Sequence, residues 1–171
     1  MCRVGLIKGF EVGGVKKLAR LQANGSNKIP EFFKVEDFTI VLNRFDVTSN
    51  ELRNGTFPLE GDRYVIAYNG EVFEYNNLAF NNSSFKSDVH FALHFLEKDG
   101  INTFFTEADF QGTFIVYDKV EKYFYVIVDQ LNTTGGFYSR YDNNLIVAQE
   151  YAIINEILNE NNIPETHPIH I

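Results

Sequence analysis

The sequence has little of several residues that assign proteins to particular classes. Its 171 residues include one Cys, one Met, four Pro and no Trp. A single cysteine excludes an internal disulfide framework, and the N-terminus lacks the basic and then apolar layout of a secretory signal. The apolar runs are also short, as over 64–68, so no segment is long enough to span a bilayer. These absences favour a protein of the reducing cytoplasm.

Positive charge is also scarce. Lys and Arg total 15 against 23 Asp and Glu, which gives a formal net charge of -8. An acidic surface repels phosphate backbones, so nucleic acid is not expected as a partner. Apolar residues, by contrast, make up 44% of the chain, including 17 Phe and 9 Tyr. Residues 1–171 can therefore bury the core of one globular domain.

The hydrophobic periodicity predicts a mixture of strands and helices. Strands are predicted over 2–10, 38–42, 63–68, 71–75, 110–118, 122–129, 137–141 and 145–148. Helices are predicted from Val15 to about Asn24, from Ser87 to Gly100, and from Ala152 to before Pro164. Loops are predicted over 24–36 and 49–62, and a tight hairpin turn at Asn69-Gly70. Many hairpins and few helices imply an α+β fold of antiparallel sheets covered by helices.

The one cysteine directly follows the initiator methionine. Removal of Met1 would leave a thiol and a free α-amine on Cys2. Their reference pKa values are about 8.5 and about 7.7–8.0, so both groups can act near neutral pH. A cysteine that uses its own amine as the base needs no catalytic histidine. Without further context, however, a thiol in a first strand is the commoner meaning of such a residue.

Several short segments, in order along the chain, supply that context. They are Met1-Cys2, 41–48 (VLNRFDVT), 57–59 (FPL), 69–75 (NGEVFEY), Ser87-Asp88, 111–118, 128–131 and 147–150. Together they resemble the glutaminase domain of the class II glutamine amidotransferases, which are N-terminal-nucleophile hydrolases. Within that class, they resemble the N-terminal domain of asparagine synthetase. The resemblance covers almost the whole chain and implies a four-layer αββα sandwich of two mostly antiparallel sheets.

The resemblance implies a catalytic role at three positions. Cys2 would attack the carboxamide carbon of glutamine. The side-chain amide of Asn69 and the backbone N–H of Gly70 would donate hydrogen bonds to the resulting oxyanion. A plain hairpin turn is the competing explanation of Asn69-Gly70.

A second group of positions would recognise the substrate. Arg44 would hold the α-carboxylate of glutamine through two hydrogen bonds, and Asp88 with Glu71 would accept from its α-ammonium group. The backbone of Phe45, Asp46, Val47 and Thr48 would line the same pocket. The competing explanations are an exposed arginine at a strand end and a helix cap at Ser87-Asp88.

The chain departs from the family in one motif. The family carries His-Arg-Gly-Pro-Asp after its first helix, where this sequence has 23–27 (ANGSN) and keeps only the glycine. Cys2 and Asn69, which an inactive relative would more often lose, are both present and favour an active enzyme. No synthetase half follows Ile171, so we expect the ammonia to reach a separate ATP-dependent synthase. No cofactor is expected.

Two other functions stay open. One is an N-terminal-cysteine amidase for a different amide, and the other is a non-catalytic interaction domain that kept the fold. His90 and His94 lie four residues apart on a predicted helix, a spacing that can bind a metal. The zincin pattern is missing, so we expect a partly exposed helix face and no metal site.

Overall fold

The computed structural model describes residues 3–23, 29–43, 58–163 and 169–171. The strands are β1 (Arg3–Lys8), β2 (Glu31–Val35), β3 (Phe38–Asn43), β4 (Leu59–Glu60), β5 (Tyr64–Tyr75), β6 (Leu78–Ala79), β7 (Ala108–Asp118), β8 (Tyr123–Val128), β9 (Phe137–Tyr141), β10 (Asn144–Ala148) and β11 (Ile169–His170). The helices are α1 (Val12–Gln22), α2 (Asp88–Asp99), α3 (Ile101–Glu107) and α4 (Tyr151–Glu160). A short 3-10 turn covers Phe80–Asn82.

The strands form two antiparallel sheets. One sheet has the order β11-β9-β10-β1-β3-β2. The other has the order β4-β5-β7-β8, with β6 paired to β5 in addition. Every pairing among the described residues is antiparallel. β1, which follows Cys2 in sequence, and β5, which carries Asn69, Gly70 and Glu71, therefore lie in different sheets.

Three apolar layers hold the two sheets and the helices together. Between the sheets, residues of β1, β3 and β10 pack on Ala67 and Ile115. On the outer face of the six-stranded sheet, α1 and α4 bury Leu18 and Ile154. On the outer face of the other sheet, α2 and α3 bury Phe91 and Phe104. The order helix, sheet, sheet, helix confirms the predicted four-layer αββα sandwich.

Burial on both faces explains the apolar run at 64–68. In β5, Ile66 belongs to the cluster under α2, whereas its neighbour Ala67 belongs to the cluster between the sheets. A strand covered on one side only shows alternating polar residues, but a central strand of a sandwich needs apolar residues at every position.

The predicted hairpin turn at Asn69-Gly70 is wrong. β5 runs without reversal from Tyr64 to Tyr75. The reversal comes later, at Asn76 and Asn77, whose positive φ angles of 51° and 61° suit a two-residue hairpin loop. The pairing of β5 with the long strand β7 continues through this point and overrides the local turn preference.

Three further elements differ from the sequence-based expectation. The predicted loop 24–36 contains the edge strand β2, and the predicted loop 49–62 contains β4. Helix α3 was not predicted, because Gly100 indicated only a helix end. Gly100 in fact ends α2 and also precedes α3, with a φ of 82° that redirects the chain. Helix α4 ends at Glu160, which confirms the expected stop before Pro164, and α1 ends at Gln22, close to the expected end at Asn24. Asn24 and Pro164 themselves lie outside the described ranges.

Candidate active site

The predicted site residues divide into two groups. Asn69, Gly70 and Glu71 lie on β5, and Asp88 begins α2. The other predicted residues, Cys2, Arg44, Phe45, Asp46, Val47 and Thr48, lie outside the described residues. Their chain neighbours are described, however, and define the surroundings of the site.

The neighbours of Cys2 and Arg44 face each other across one pair of strands. Arg3, which follows Cys2, is the register partner of Asn43, which precedes Arg44. Such partners in an antiparallel pair have Cα atoms about 4.5–5.5 Å apart. Asn43 is buried, and its Nδ2 donates to the carbonyl of Ala19 on α1 at 3.0 Å. The start of β1 and the end of β3 therefore lie side by side, where these two neighbouring strands begin and end.

Asn69 extends from the opposite sheet toward the start of β1. Its side chain is only 6% exposed, and its Nδ2 donates to Oε1 of Gln149 at 3.3 Å. The same oxygen accepts from the backbone N–H of Val4 at 3.0 Å. One side chain therefore joins Asn69 to the residue two positions after Cys2.

Gly70 lies where two backbones approach closely. It is the register partner of Gly112 on β7, and the two residues have φ angles of 158° and 129°. A Cβ at Gly70 would lie 1.9 Å from the carbonyl oxygen of Gln111, a distance that no real Cβ tolerates. The backbone at Gly70 is accordingly bare of side chain and partly exposed, as a backbone donor to a substrate must be.

Glu71 and Asp88 line one small cavity of about 170 Å³, together with Val72, Phe73, Phe80 and Asn81. Asp88 is half-buried, and its Oδ2 accepts from the N–H of Val72 at 3.3 Å. The side chain of Ser87 does not cap α2, because its hydroxyl lies 2.7 Å from Nδ1 of His90 instead. Two carboxylates at one cavity favour a cationic group there.

Sequence reasoning missed a turn that supports the site. Asp129 follows β8, and its carboxylate accepts from the N–H of Gly112, Leu131 and Thr133 and from the Thr133 hydroxyl. Burial raises the pKa of Asp129, but these hydrogen bonds together outweigh it and hold the pKa below its usual value of 3.8. The segment 128–131 had shown only family resemblance, without a role for the aspartate.

Gln149 was also missed as a site residue. It is 4% exposed and directly follows β10. Its Nε2 donates to the carbonyl of Thr134, in the turn that Asp129 organises, at 3.2 Å. The sequence offered no signal for this role, because Gln149 is 145 residues from Val4 and 80 from Asn69.

The two histidines of α2 show no metal-binding arrangement. His90 bonds to Ser87, and His94 packs on the rings of Phe85 and Phe95. Within 3–23, 29–43, 58–163 and 169–171 there is no cluster of three or more potential metal ligands. In the same ranges, no helix has the length and apolar character needed to cross a membrane.

A larger cavity, of about 770 Å³, lies at the far end of β1. Its lining includes Lys8, Phe10, Lys34 and Asp37. At about 3.3 Å per residue, Lys8 is about 13 Å along the strand from Val4. Of the predicted site residues that the structure describes, Asn69, Gly70, Glu71 and Asp88, none lines this cavity, so volume alone does not locate the site.

Fold and site together define an αββα sandwich in which a buried asparagine is linked through Gln149 to the start of the first strand and is followed by a partly exposed glycine. A family model described as a glutamine amidotransferase domain matches residues 43–156. The match covers more than half of the chain, and the chain belongs to this glutamine amidotransferase family. The matched span contains Arg44, Asn69, Gly70 and Asp88 but not Cys2. No curated protein matches the sequence.

Proposed function

We propose that this protein hydrolyses L-glutamine to glutamate and ammonia through a thioester on Cys2. The observation that carries the proposal is the convergence of three chain segments. Arg3 and Asn43, the neighbours of Cys2 and Arg44, are paired, and Gln149 ties Val4 to Asn69. Consecutive Cα atoms are only about 3.8 Å apart, so the contacts of Arg3 and Val4 support a position for Cys2 near Asn69.

The chemistry follows from the groups that would meet there. With Met1 removed, the α-amine of Cys2 takes the thiol proton, and the sulfur attacks the glutamine carboxamide carbon. The oxyanion that forms is stabilised by the amide of Asn69 and the N–H of Gly70. The protonated amine then gives its proton to the departing nitrogen, and the C–N bond breaks to release ammonia. Water hydrolyses the thioester, which frees glutamate and restores the thiol.

Recognition of a free amino acid needs opposite charges at two ends of the pocket. Arg44 binds the α-carboxylate through a planar pair of hydrogen bonds, and the backbone of Phe45, Asp46, Val47 and Thr48 lines this side. Asp88 and Glu71 accept from the α-ammonium group. The cavity that these two carboxylates share supports their assignment.

The ammonia is used, in this proposal, by a separate ATP-dependent synthase. Similarity to the glutaminase domain of asparagine synthetase supports the comparison with enzymes that transfer glutamine nitrogen to an activated acceptor. A working thiol on Cys2 has to stay reduced, which fits the cytoplasm. A synthase that binds this chain should co-purify with it and raise its rate of glutamate release.

The experiment that tests the proposal combines intact mass with a glutaminase assay. The mass should show loss of Met1, and the protein should release one glutamate per ammonia from glutamine. Cys2→Ala should lose at least about 1000-fold in kcat, because a nucleophile is removed outright. A Cys2→Ala variant as active as the wild-type protein would contradict the mechanism. A panel of other amides tests the rival amidase, and absence of turnover on every amide supports the non-catalytic alternative.

A further inference from the structure

Gln149 occupies the point where β10 leaves the sheet. The ladder between β1 and β10 runs from Lys8 with Leu145 to Leu6 with Val147. Continued by two residues, it would bring the backbone of Gln149 opposite Val4. The ladder ends before that rung, and the Gln149 side chain reaches the Val4 N–H in its place, at 3.0 Å.

The Gln149 carboxamide is held on both of its polar atoms. A glutamine side chain offers one acceptor oxygen with two lone pairs and two N–H donors. The oxygen accepts from Val4 and from Asn69, and the nitrogen donates to the carbonyl of Thr134. These three partners come from β1, from β5 and from the turn after β8. A buried planar group with three fixed partners has little freedom to rotate.

The backbone of Gln149 lies close against the turn that follows β8. Gly135 has a φ of 80°, and a Cβ on it would lie 2.3 Å from the carbonyl oxygen of Gln149. The turn that carries Gly135 is tied to β7, because the Thr113 hydroxyl donates to the Gly135 carbonyl at 2.6 Å. Next in sequence, Glu150 forms an ion pair with Arg3. Two consecutive residues, 149 and 150, therefore hold the two first described residues of β1.

We infer that Gln149 is a positioning residue for the reaction, which sets the Asn69 amide relative to the strand that follows the nucleophile. The inference rests on the proposed function. Because Oε1 of Gln149 can only accept, the Asn69 side chain has to turn its nitrogen toward it. One N–H of Asn69 is used in this contact, and the second stays available for the oxyanion. The same Oε1 also accepts from the N–H of Val4. The oxyanion donor Asn69 and the strand that follows Cys2 are therefore both positioned by one Gln149 oxygen.

Gln149→Met tests the inference, since methionine keeps the length of the side chain but removes its hydrogen bonds. We expect kcat for glutamine to fall about 10-fold to 100-fold, because removal of a whole oxyanion donor lowers it about 100-fold to 1000-fold. KM should change less than about threefold, since the ground-state contacts of glutamine are elsewhere. Gln149→Asn keeps the amide but shortens the reach, and we expect a smaller loss of kcat.

A double-mutant cycle with Asn69→Ala separates positioning from general damage. If Gln149 acts through Asn69, Gln149→Met should lower kcat less than about threefold in the Asn69→Ala background. Gln22→Met is the matched control. Gln22 is equally buried, and its Nε2 donates to the carbonyl of the same Val4 at 3.2 Å, without a described contact to Asn69. We expect Gln22→Met to keep kcat within about threefold.

The outcomes distinguish this inference from the function on which it rests. A processed wild-type protein that releases no glutamate overturns the proposed function and the inference with it. An active wild type whose Gln149→Met and Gln149→Asn variants both keep kcat overturns the inference alone. The inference is also overturned if Gln149→Met lowers kcat as much in the Asn69→Ala background as it does in the wild type. Thermal unfolding midpoints of all variants set an assay temperature at which each is folded.

Discussion

Asn69 is deeply buried, with 6% of its surface exposed. Its described side-chain hydrogen bond goes to Gln149 Oε1, and that oxygen keeps the Val4 N–H as a partner when Asn69 is truncated. Loss of the Asn69 amide therefore leaves no orphaned acceptor on Gln149. For this reason, a substitution here should affect the proposed chemistry far more than the stability.

Asn69→Ala should lower kcat/KM for glutamine about 100-fold to 1000-fold, the range for one lost oxyanion donor. The free energy of unfolding should fall by only about 1 kcal/mol, the usual net value of one hydrogen bond. Steady-state kinetics and urea unfolding measure the two quantities. Asn159→Ala, at an exposed position of α4, serves as control and should leave both nearly unchanged. If Asn69→Ala leaves the kinetics unaltered, Asn69 is not part of the active site.

Gly70 and Gly13 give a matched pair of glycine tests. At Gly70 a Cβ would meet the Gln111 carbonyl oxygen at 1.9 Å, whereas at Gly13, in α1, it would meet nothing within 4 Å. Gly70→Ala should therefore lower the free energy of unfolding by more than about 2 kcal/mol. Gly13→Ala should raise it by up to about 1 kcal/mol, because alanine is the better helix former. Chemical denaturation measures both, and equal effects would contradict the close approach at Gly70.

At the scale of elements, the turn after β8 links the two sheets at the site. Asp129 gathers backbone N–H groups of the turn and of β7, and Thr134 in that turn accepts from Gln149. The short segment between β8 and β9 thereby connects β7 of one sheet to the end of β10 in the other. Its integrity depends on one buried carboxylate in its ionised form, and so it depends on pH.

Asp129→Asn should lower the free energy of unfolding at pH 7 by about 1.5–3 kcal/mol, the range for hydrogen bonds to a charged group. The folded-state pKa of Asp129 lies below the usual 3.8, so its stabilisation is present above pH 3.8 and lost as pH falls through the folded value. The difference between wild type and variant should therefore shrink below about pH 4. Urea unfolding from pH 7 to pH 3 measures it.

The exposed residue Asp62 provides the control for that experiment. Asp62→Asn should change the unfolding free energy at pH 7 by no more than about 0.5 kcal/mol, as surface substitutions usually do. A wild-type advantage over Asp129→Asn that grows toward pH 3 would contradict the assignment of an ionised Asp129.

At the scale of the whole molecule, the layer between the sheets is what brings the site together. Asn69 and Val4 lie in different sheets, and Ala67 and Ile115 pack against Leu6 and Val147 in that layer. The contact of Gln149 with both sheets exists only when this layer is intact. Stability of the core and geometry of the site are therefore properties of one packed unit.

Ile115→Ala should lower the free energy of unfolding by about 2–5 kcal/mol, the usual effect of deleting a fully buried branched side chain. For a chain of this size, the melting temperature should fall by about 2–4 °C for each kcal/mol. Circular dichroism in the far and near ultraviolet should report coincident transitions, because both sheets share the layer. Val120→Ala, at a position 68% exposed, is the control. Separate transitions would show that the sheets unfold independently.

Helices and strands whose signals lie within their own stretch of sequence were predicted well. The helix from Ser87 to Gly100 and the strand 137–141 follow from apolar spacing and from glycine and asparagine at their ends. β2 was missed because an edge strand is half exposed and carries little apolar pattern. α3 was missed because seven residues span fewer than two turns of helical period.

The sequence alone determined the class of fold and the family. Apolar periodicity and the ordered motifs from 41–48 to 147–150 depend only on the order of residues along the chain. It also named Asn69, Gly70 and Asp88 as candidates. Only the tertiary structure decided that Asn69-Gly70 continues a strand and that Gln149 joins Val4 to Asn69. The physical reason is that both depend on partners far away in sequence: β7 opposite β5, and the end of β10 beside the start of β1.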